Sequence, residues 1–465
     1  MNRAVWRYYF SIWAKSIMQV TIRLMENSTF VRAVILAVVM LAGSIPASSL
    51  GQAPATKEKP VAEEARVPIA KCTSSAGTLV ELPRGKKAWQ VLRPADTVFS
   101  TDLLLALPGQ QAALEGQGAP VRLTLWGNVP QISSAPVLES AVVVHAGTGL
   151  DLDFTLARGR VLLSNRKEKG SAGVRVRFLA HTWELALEPG TDVALELYER
   201  WPRGTAFTLK PDADDMPGVA VIAWVLKGEA MLKVPGEQYS LHAPPGPAYF
   251  HWDSISGPDS GPHRREKLPA WADPNAEQIS KNSALQTALA EQRRQLSEKP
   301  VEKVLVAELD APEAARRQLA VYALAAVDDL PQVARALADP KHADVREAAI
   351  DALRHWIGRG PGKDVALYHF LLQHRTYTPA QGEIVLQFLH GFSDRDRNQP
   401  ETYETLIAYL GSSQLAIRQL AKQQLDQWVP AGTKIAYDPA GPQEDWKRAQ
   451  DEWKKLIPRG KLPPK

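Results

Sequence analysis

Two periodicities divide the chain. Between about residues 70 and 256 apolar and polar positions alternate: Val121, Leu123 and Leu125 with Arg122 and Thr124, and Leu150, Leu152, Phe154 and Leu156 with Asp151, Asp153 and Thr155. The alternation recurs at Val174, Val176 and Phe178, at Trp183, Leu185 and Leu187, at Val193, Leu195 and Leu197, and from Val219 to Leu226. Successive side chains of a strand point to opposite faces, so a period of two predicts strands with one apolar face. Gly149, Gly159, Gly173, Pro189-Gly190 and Pro235-Gly236 punctuate these runs. Short strands at about ten-residue spacing, separated by such turn residues, predict an all-β antiparallel roll or sandwich with one wet face per sheet.

After a segment rich in Pro and Gly, residues 257–274, the period becomes 3.6 and an all-α part is predicted. Helices are expected near 275–298, 312–326, 330–338, 343–357, 364–374, 379–391, 400–410 and 413–428, several opening on Asp, Thr, Ser or Pro. One phrase, Arg-x-[Leu/Ala]-Ala-x-x-x-Leu, occurs at Arg317–Leu324, Arg346–Leu353 and Arg418–Leu425, and the last two copies add Trp356 and Trp428 three residues on. A repeat of roughly 30 to 36 residues, with one degenerate copy between, is the signature of stacked helical pairs. Helices this short gain little from propensity and must be held by packing one pair on the next. In the phrase, the Ala positions allow close approach and the Arg is placed to satisfy carbonyls or acids at a helix end. In the tail, residues 430–465, Trp446, Ala449, Trp453 and Ile457 fall at helical spacing and predict a helix that caps the last repeat.

The N-terminus carries an address. Arg23 and Arg32 flank the start of an apolar stretch, Ala33–Ala47, and small residues follow to Ala53. That order reads as a secretory signal, with a mature chain expected to begin between about residues 48 and 54 and Met25 as an alternative start. About 15 apolar residues are short for a bilayer span of ~20; if the segment is retained, residues 33–50 become an inner-membrane anchor. Residues 54–69, made mostly of Ala, Pro, Glu and Lys, read as a disordered linker.

Charge changes the picture once. The chain has 55 basic and 51 acidic residues, but residues 1–53 hold five of the former and one of the latter, leaving 50 of each in the remainder. A balanced body argues against nucleic acid, which demands a concentrated cationic excess. Cys72 is the only cysteine, so no intramolecular disulfide forms and the exported fold rests on apolar burial.

No motif names a reaction. His242 and His251 stand nine apart in a Gly- and Pro-rich strand region that invites a cupin reading, yet a transition-metal site requires three or four converging ligands. Asp212, Asp214 and Asp215 have part of a calcium-loop spacing without its Gly and distal Glu, and read as a solvated turn. His263-Arg264-Arg265 reads as a soluble linker run. No catalytic, cofactor-binding or metal-binding residue is therefore assigned. Trp126, Trp201 and Trp252 are the aromatic residues placed to anchor a partner or, more commonly, to cover a core.

Residues 152–197, "LDFTLARGRVLLSNRKEKGSAGVRVRFLAHTWELALEPGTDVALEL", with a strand leading into Gly-Arg-Val, a Val-Arg-Val strand and a Pro-Gly-Thr turn, resemble the FecR-type periplasmic domain. Residues 221–254, with Lys-Gly opening a strand and Leu-x-x-Pro-Pro-Gly closing the next, extend that resemblance. Residues 337–357, "LADPKHADVREAAIDALRHWI", resemble a HEAT repeat. The FecR resemblance implies sensing or relay of an outer-membrane signal, while the roughly 30 residues ahead of the apolar stretch are too short for the sigma-factor-controlling segment of that family.

The sequence thus predicts a multidomain protein: a signal or membrane segment (1–53), a linker (54–69), a FecR-like β domain (70–256), a second linker (257–274), a HEAT-like helical domain (275–429) and a capping tail (430–465). The expected role is that of an exported, non-enzymatic scaffold or sensor in the periplasm or cell envelope, binding a protein or an envelope glycan and needing no cofactor. A membrane-retained FecR-type relay is the alternative, and a cupin-like or hydrolytic enzyme the alternative of another class.

Overall fold

The structure, a computed structural model, describes residues 65–116, 120–131, 137–212, 215–272, 282–373 and 376–464. The expected signal or anchor, and most of the first linker, lie outside them.

Seventeen strands come first among the described residues. They are β1 (Pro68–Cys72), β2 (Leu79–Leu82), β3 (Gln90–Val91), β4 (Thr97–Phe99), β5 (Leu103–Ala106), β6 (Gln111–Gly116), β7 (Val121–Trp126) and β8 (Ser140–Val144). Then follow β9 (Leu152–Asn165), β10 (Ala172–Phe178), β11 (His181–Leu187), β12 (Asp192–Arg200), β13 (Gly218–Val234), β14 (Glu237–Ala243), β15 (Ala248–Asp253), β16 (Gly257–Pro258) and β17 (His263–Arg264). β1 begins inside the segment expected as linker, and Arg66 ahead of it pairs with buried Asp102 at 2.7 Å.

Two strands of 14 and 17 residues organise the rest. The first half of β9 pairs with β8 and with β10, in parallel, whereas its second half pairs with β7 and β12. β13 does the same, its first half between β12 and β15 and its second between β11 and β14. Strands β9, β10, β11, β13 and β12 thereby close into a five-stranded barrel. Each long strand bends at a glycine of positive φ, Gly159 or Gly228. A Cβ on Gly159 would lie 2.2 Å from Glu139 O, and one on Gly228 2.8 Å from Thr191 Cα, so only glycine fits. Gly159, expected to end a strand, therefore sits in the middle of one.

Eleven α-helices follow among the described residues: α1 (Ser283–Glu298), α2 (Val301–Glu308), α3 (Ala314–Ala326), α4 (Leu330–Ala336), α5 (Ala343–Gly358) and α6 (Lys363–Gln373). The others are α7 (Pro379–His390), α8 (Asp394–Arg397), α9 (Pro400–Tyr409), α10 (Leu415–Trp428) and α11 (Gln443–Leu456). α2/α3, α4/α5, α6/α7 and α9/α10 pack as four successive pairs. The starts carry the chemistry expected of them: Asn282 accepts from Leu285 N, and Thr378 with Gln381 forms a reciprocal capping box ahead of Pro379. None of these helices is long and apolar enough to cross a membrane.

The repeated arginines do as their position suggests. Arg317 donates to Ala311 O and Pro312 O and grips Asp344 of the next pair; Arg346 donates to Asp339 O and to Gln419 Oε1; Arg418 donates to Ser412 O and Pro439 O. Each closes the turn before its own helix and reaches onward. Trp446 lies over the Arg418 guanidinium, and Ala449, Trp453 and Ile457 bury the inner face of α11.

One apolar core fills the barrel and the sandwich beside it, with Phe154, Val176, Trp183, Leu195 and Phe250 at its centre. A second crosses from strands to helices: Val80, Leu105 and Ala141 on the outer faces of β2, β5 and β8, with Leu107, Trp89 and Trp201, pack with residues of every helix but α8. This corrects the expectation of one wet face per sheet. Leu104 points into the sandwich while Leu105 points at the helices, so β5 is buried on both sides. The described part of the second linker, 257–272, also packs: Trp271 is buried against Trp126 edge to face, and its ring lies under the Arg160 guanidinium, itself paired with Glu196. The described residues form one compact unit.

Candidate functional site

The seam between strands and helices is where ionisable groups are buried together. Glu139, fully buried just before β8, meets Arg158 of β9 at 2.6 Å and, from the end of α5, Arg359 at 2.6 Å and His355 at 3.3 Å. Arg158 and Arg359 also donate to Ala326 O and Ala325 O at the C-terminal end of α3, where cations offset the helix dipole. Burial alone would raise the Glu139 pKa, but Arg359, then His355 and Arg158, hold it well below the ordinary carboxylate range. Burial lowers His355 and brings Arg359 down to about 10, against the pull of Glu139. Nearby, burial pushes the Glu199 carboxyl up to about 7 in spite of Arg158, Arg359 and Lys363.

What seats α5 this closely is Gly358. A Cβ there would lie 2.8 Å from Glu199 O and 3.0 Å from Arg200 Cα, so helix and strand touch backbone to backbone. Trp201 follows at once, buried, with its indole N–H donating to Ile357 O at 3.1 Å and its ring stacked on His390 at 4.5 Å.

One opening adjoins this seam and another lies among the helices. A cleft of about 420 Å³ is walled by Arg200 and Arg203 from the strand side and by Arg354, His390, Gln424 and Trp428 from α5, α7 and α10. A wider groove of about 620 Å³ runs across α4, α5 and α6, floored by Ala334, Val345, Phe370 and Leu371 and rimmed by Arg335 and Asp339.

The residues singled out by sequence are scattered. Cys72 is buried, and burial raises its thiol pKa. His242 lies against Arg264, while His251 and His263 share Asp259 at 3.4 and 2.9 Å. No group of three metal-ligating side chains converges among the described residues. Asp215 N–H closes a turn on Asp212 O, and Asp214 lies outside the described residues. His263 and Arg264 are not in a loose linker but pair with β15, and Arg265 faces Trp224. Of the three candidate anchors, Trp201 covers core, Trp126 meets Trp271, and Trp252 packs against Phe178 and His181.

The seam residues escaped the sequence reading because they come from β8, β9, β12 and α5, which no local spacing relates. The one visible hint is Arg200-Trp201-Pro202-Arg203, a dense polar and aromatic cluster between two strands. No protein-family model, curated protein or solved structure matches this chain.

Proposed function

We propose that this protein is an exported, non-enzymatic scaffold or sensor of the cell envelope, with a FecR-like β part and a HEAT-like helical part, that holds a protein partner in the groove across α4, α5 and α6. The observation that carries the reading is the groove itself: an open, apolar floor spanning two consecutive helical pairs, with a charged residue of each sign at its rim. Helix-lined grooves with aliphatic and aromatic floors accept apolar side chains of a partner, and mixed rim charge gives orientation more than affinity. Two carboxylates that line other openings are engaged within the fold, Asp153 by Arg175 and Arg177 and Asp396 by the Ser393 cap.

A photo-cross-linking side chain placed at Arg335 tests this in cells. One adduct to an envelope protein, lost on Phe370→Glu, supports the reading. Adducts to nothing, or to the chain itself only, overturn it. N-terminal sequencing of the same material should find a chain starting at about residues 48 to 54; a full-length cytosolic product removes the envelope role.

A further inference from the structure

The second opening has a different chemistry. Its wall carries Arg200, Arg203 and Arg354 together with His390, Gln424 and Gln427, and no Asp or Glu. None of the three arginines has an ion pair with a carboxylate among the described residues. Arg354 donates to Phe388 O at 3.4 Å, which accounts for one cation at the end of α7. Arg200 lies over the Tyr198 ring at 5.9 Å, a contact that leaves its N–H donors open to a ligand, and Arg203 caps no helix. Burial lowers the Arg354 pKa; Asp351, one turn back on α5, opposes that shift, and Arg203 across the cleft adds to it.

The backbone that presents Arg203 is fixed. Trp201 is plugged into the helices, and Thr205 O accepts from His390 Nδ1 at 3.3 Å and from Gln387 Nε2 at 3.4 Å. Phe207 N–H donates to Gln387 Oε1 at 3.1 Å. The strap from residue 200 to 207 is thus held at both ends, the preorganisation a binding site requires.

We propose that this cleft binds a small oxyanion-bearing ligand, a carboxylate or phosphate carried on a body of sugar size. Guanidinium groups fork onto either oxyanion, the amides of Gln424 and Gln427 suit hydroxyl groups, and the flat faces of Trp428 and Phe392 suit a ring. A volume of about 420 Å³ is that of a small-molecule site. The inference stands apart from the groove and from the protein's location, so either can fail alone.

Calorimetric titration of the folded full chain with glucose 6-phosphate, glucuronate and glucose tests it. One or both anions should bind, more weakly at higher salt, and glucose should not. Arg203→Glu, on an exposed residue, should weaken binding by about tenfold or more, as the sign of one charge-assisted contact is reversed; Arg354→Gln should do likewise, and Lys233→Glu on the far side of the barrel should leave it unchanged. Binding of the phosphate alone or the uronate alone identifies the source of the oxyanion. The proposal is overturned if neither anion binds, if glucose binds as well, or if Arg203→Glu makes no difference.

Discussion

Gly358→Ala sets two effects of opposite sign against each other. In a helix, alanine is favoured over glycine by up to about 1 kcal/mol, because glycine loses more backbone freedom. By that rule alone the substitution stabilises. The added Cβ, however, would lie 2.8 Å from Glu199 O and 3.0 Å from Arg200 Cα, both backbone atoms of β12 where it is paired with β13. Neither neighbour is a flexible side chain that can swing away, so α5 must lift from β12. Overpacking of this kind costs about 1 to 3 kcal/mol, and lifting α5 also loosens Arg359 and His355 on buried Glu139. The net expectation is a loss of about 1 to 2 kcal/mol. Urea denaturation followed by circular dichroism at 222 nm and by tryptophan fluorescence reads it as a lower midpoint at unchanged slope. A higher midpoint would show that the backbone contact at the seam is not rigid, and the packing argument built on it would fall.

Further outcomes follow from the same seam and from the array. Leu353→Ala removes a fully buried side chain of the shared core and should cost about 2 to 5 kcal/mol, with strands and helices melting together; limited proteolysis that releases a resistant β fragment ending in 257–274 would show instead that the two parts fold separately. Arg346→Met should destabilise by about 2 to 4 kcal/mol, because it strips Asp339 O and Gln419 of a charged donor, and Arg346→Lys should rescue little; equal stability of the methionine variant by thermal melting would remove Arg346 from the account. The two seam acids should bend the pH profile in opposite senses. Glu139, with a depressed folded pKa, contributes stability that is lost as pH falls below its ordinary 4.5, whereas Glu199, raised to about 7, loses stability as pH rises from 4.5 to 7. Glu199→Gln should therefore flatten the decline over that interval and Glu139→Gln should weaken the fold at neutral pH; denaturant titrations at pH 5 and 8 in which Glu199→Gln keeps the full decline, or in which Glu139→Gln matches the parent at pH 8, would sink the respective assignment.

Much of the fold was written in local pattern. Strands β7, β9 to β13 and helices α3 to α7 fall where the two periodicities place them, since each signal needs only neighbours along the chain. What escaped was long-range or brief. α2 has eight residues after Pro300, too few for a 3.6 period to show. Gly159 reads as a strand end and Gly228 as the opening of a new strand, because a glycine that bends a strand into a second sheet and one that bounds a strand are the same letter. Leu103-Leu104-Leu105 in β5 is continuous rather than alternating, which was the sign of a second covered face. The seam was illegible for a plainer reason: Glu139 and Arg359 are 220 positions apart in the sequence, and nothing local to either asks for the other.

The onward reach of Arg346 bears on how this protein can change over generations. Arrays whose units touch only adjacent units can be lengthened by duplicating one unit, since every new junction copies an old one. Here Arg346 skips past the third helical pair to Gln419 in the fourth, and also approaches Asp438 of the tail at 3.4 Å. A unit inserted between α5 and α10 would strand a buried guanidinium and remove the tail from its seat. The number of helical pairs is consequently fixed by an electrostatic tie across them, and variation in this protein should appear as loop and surface substitution, not as gain or loss of repeats.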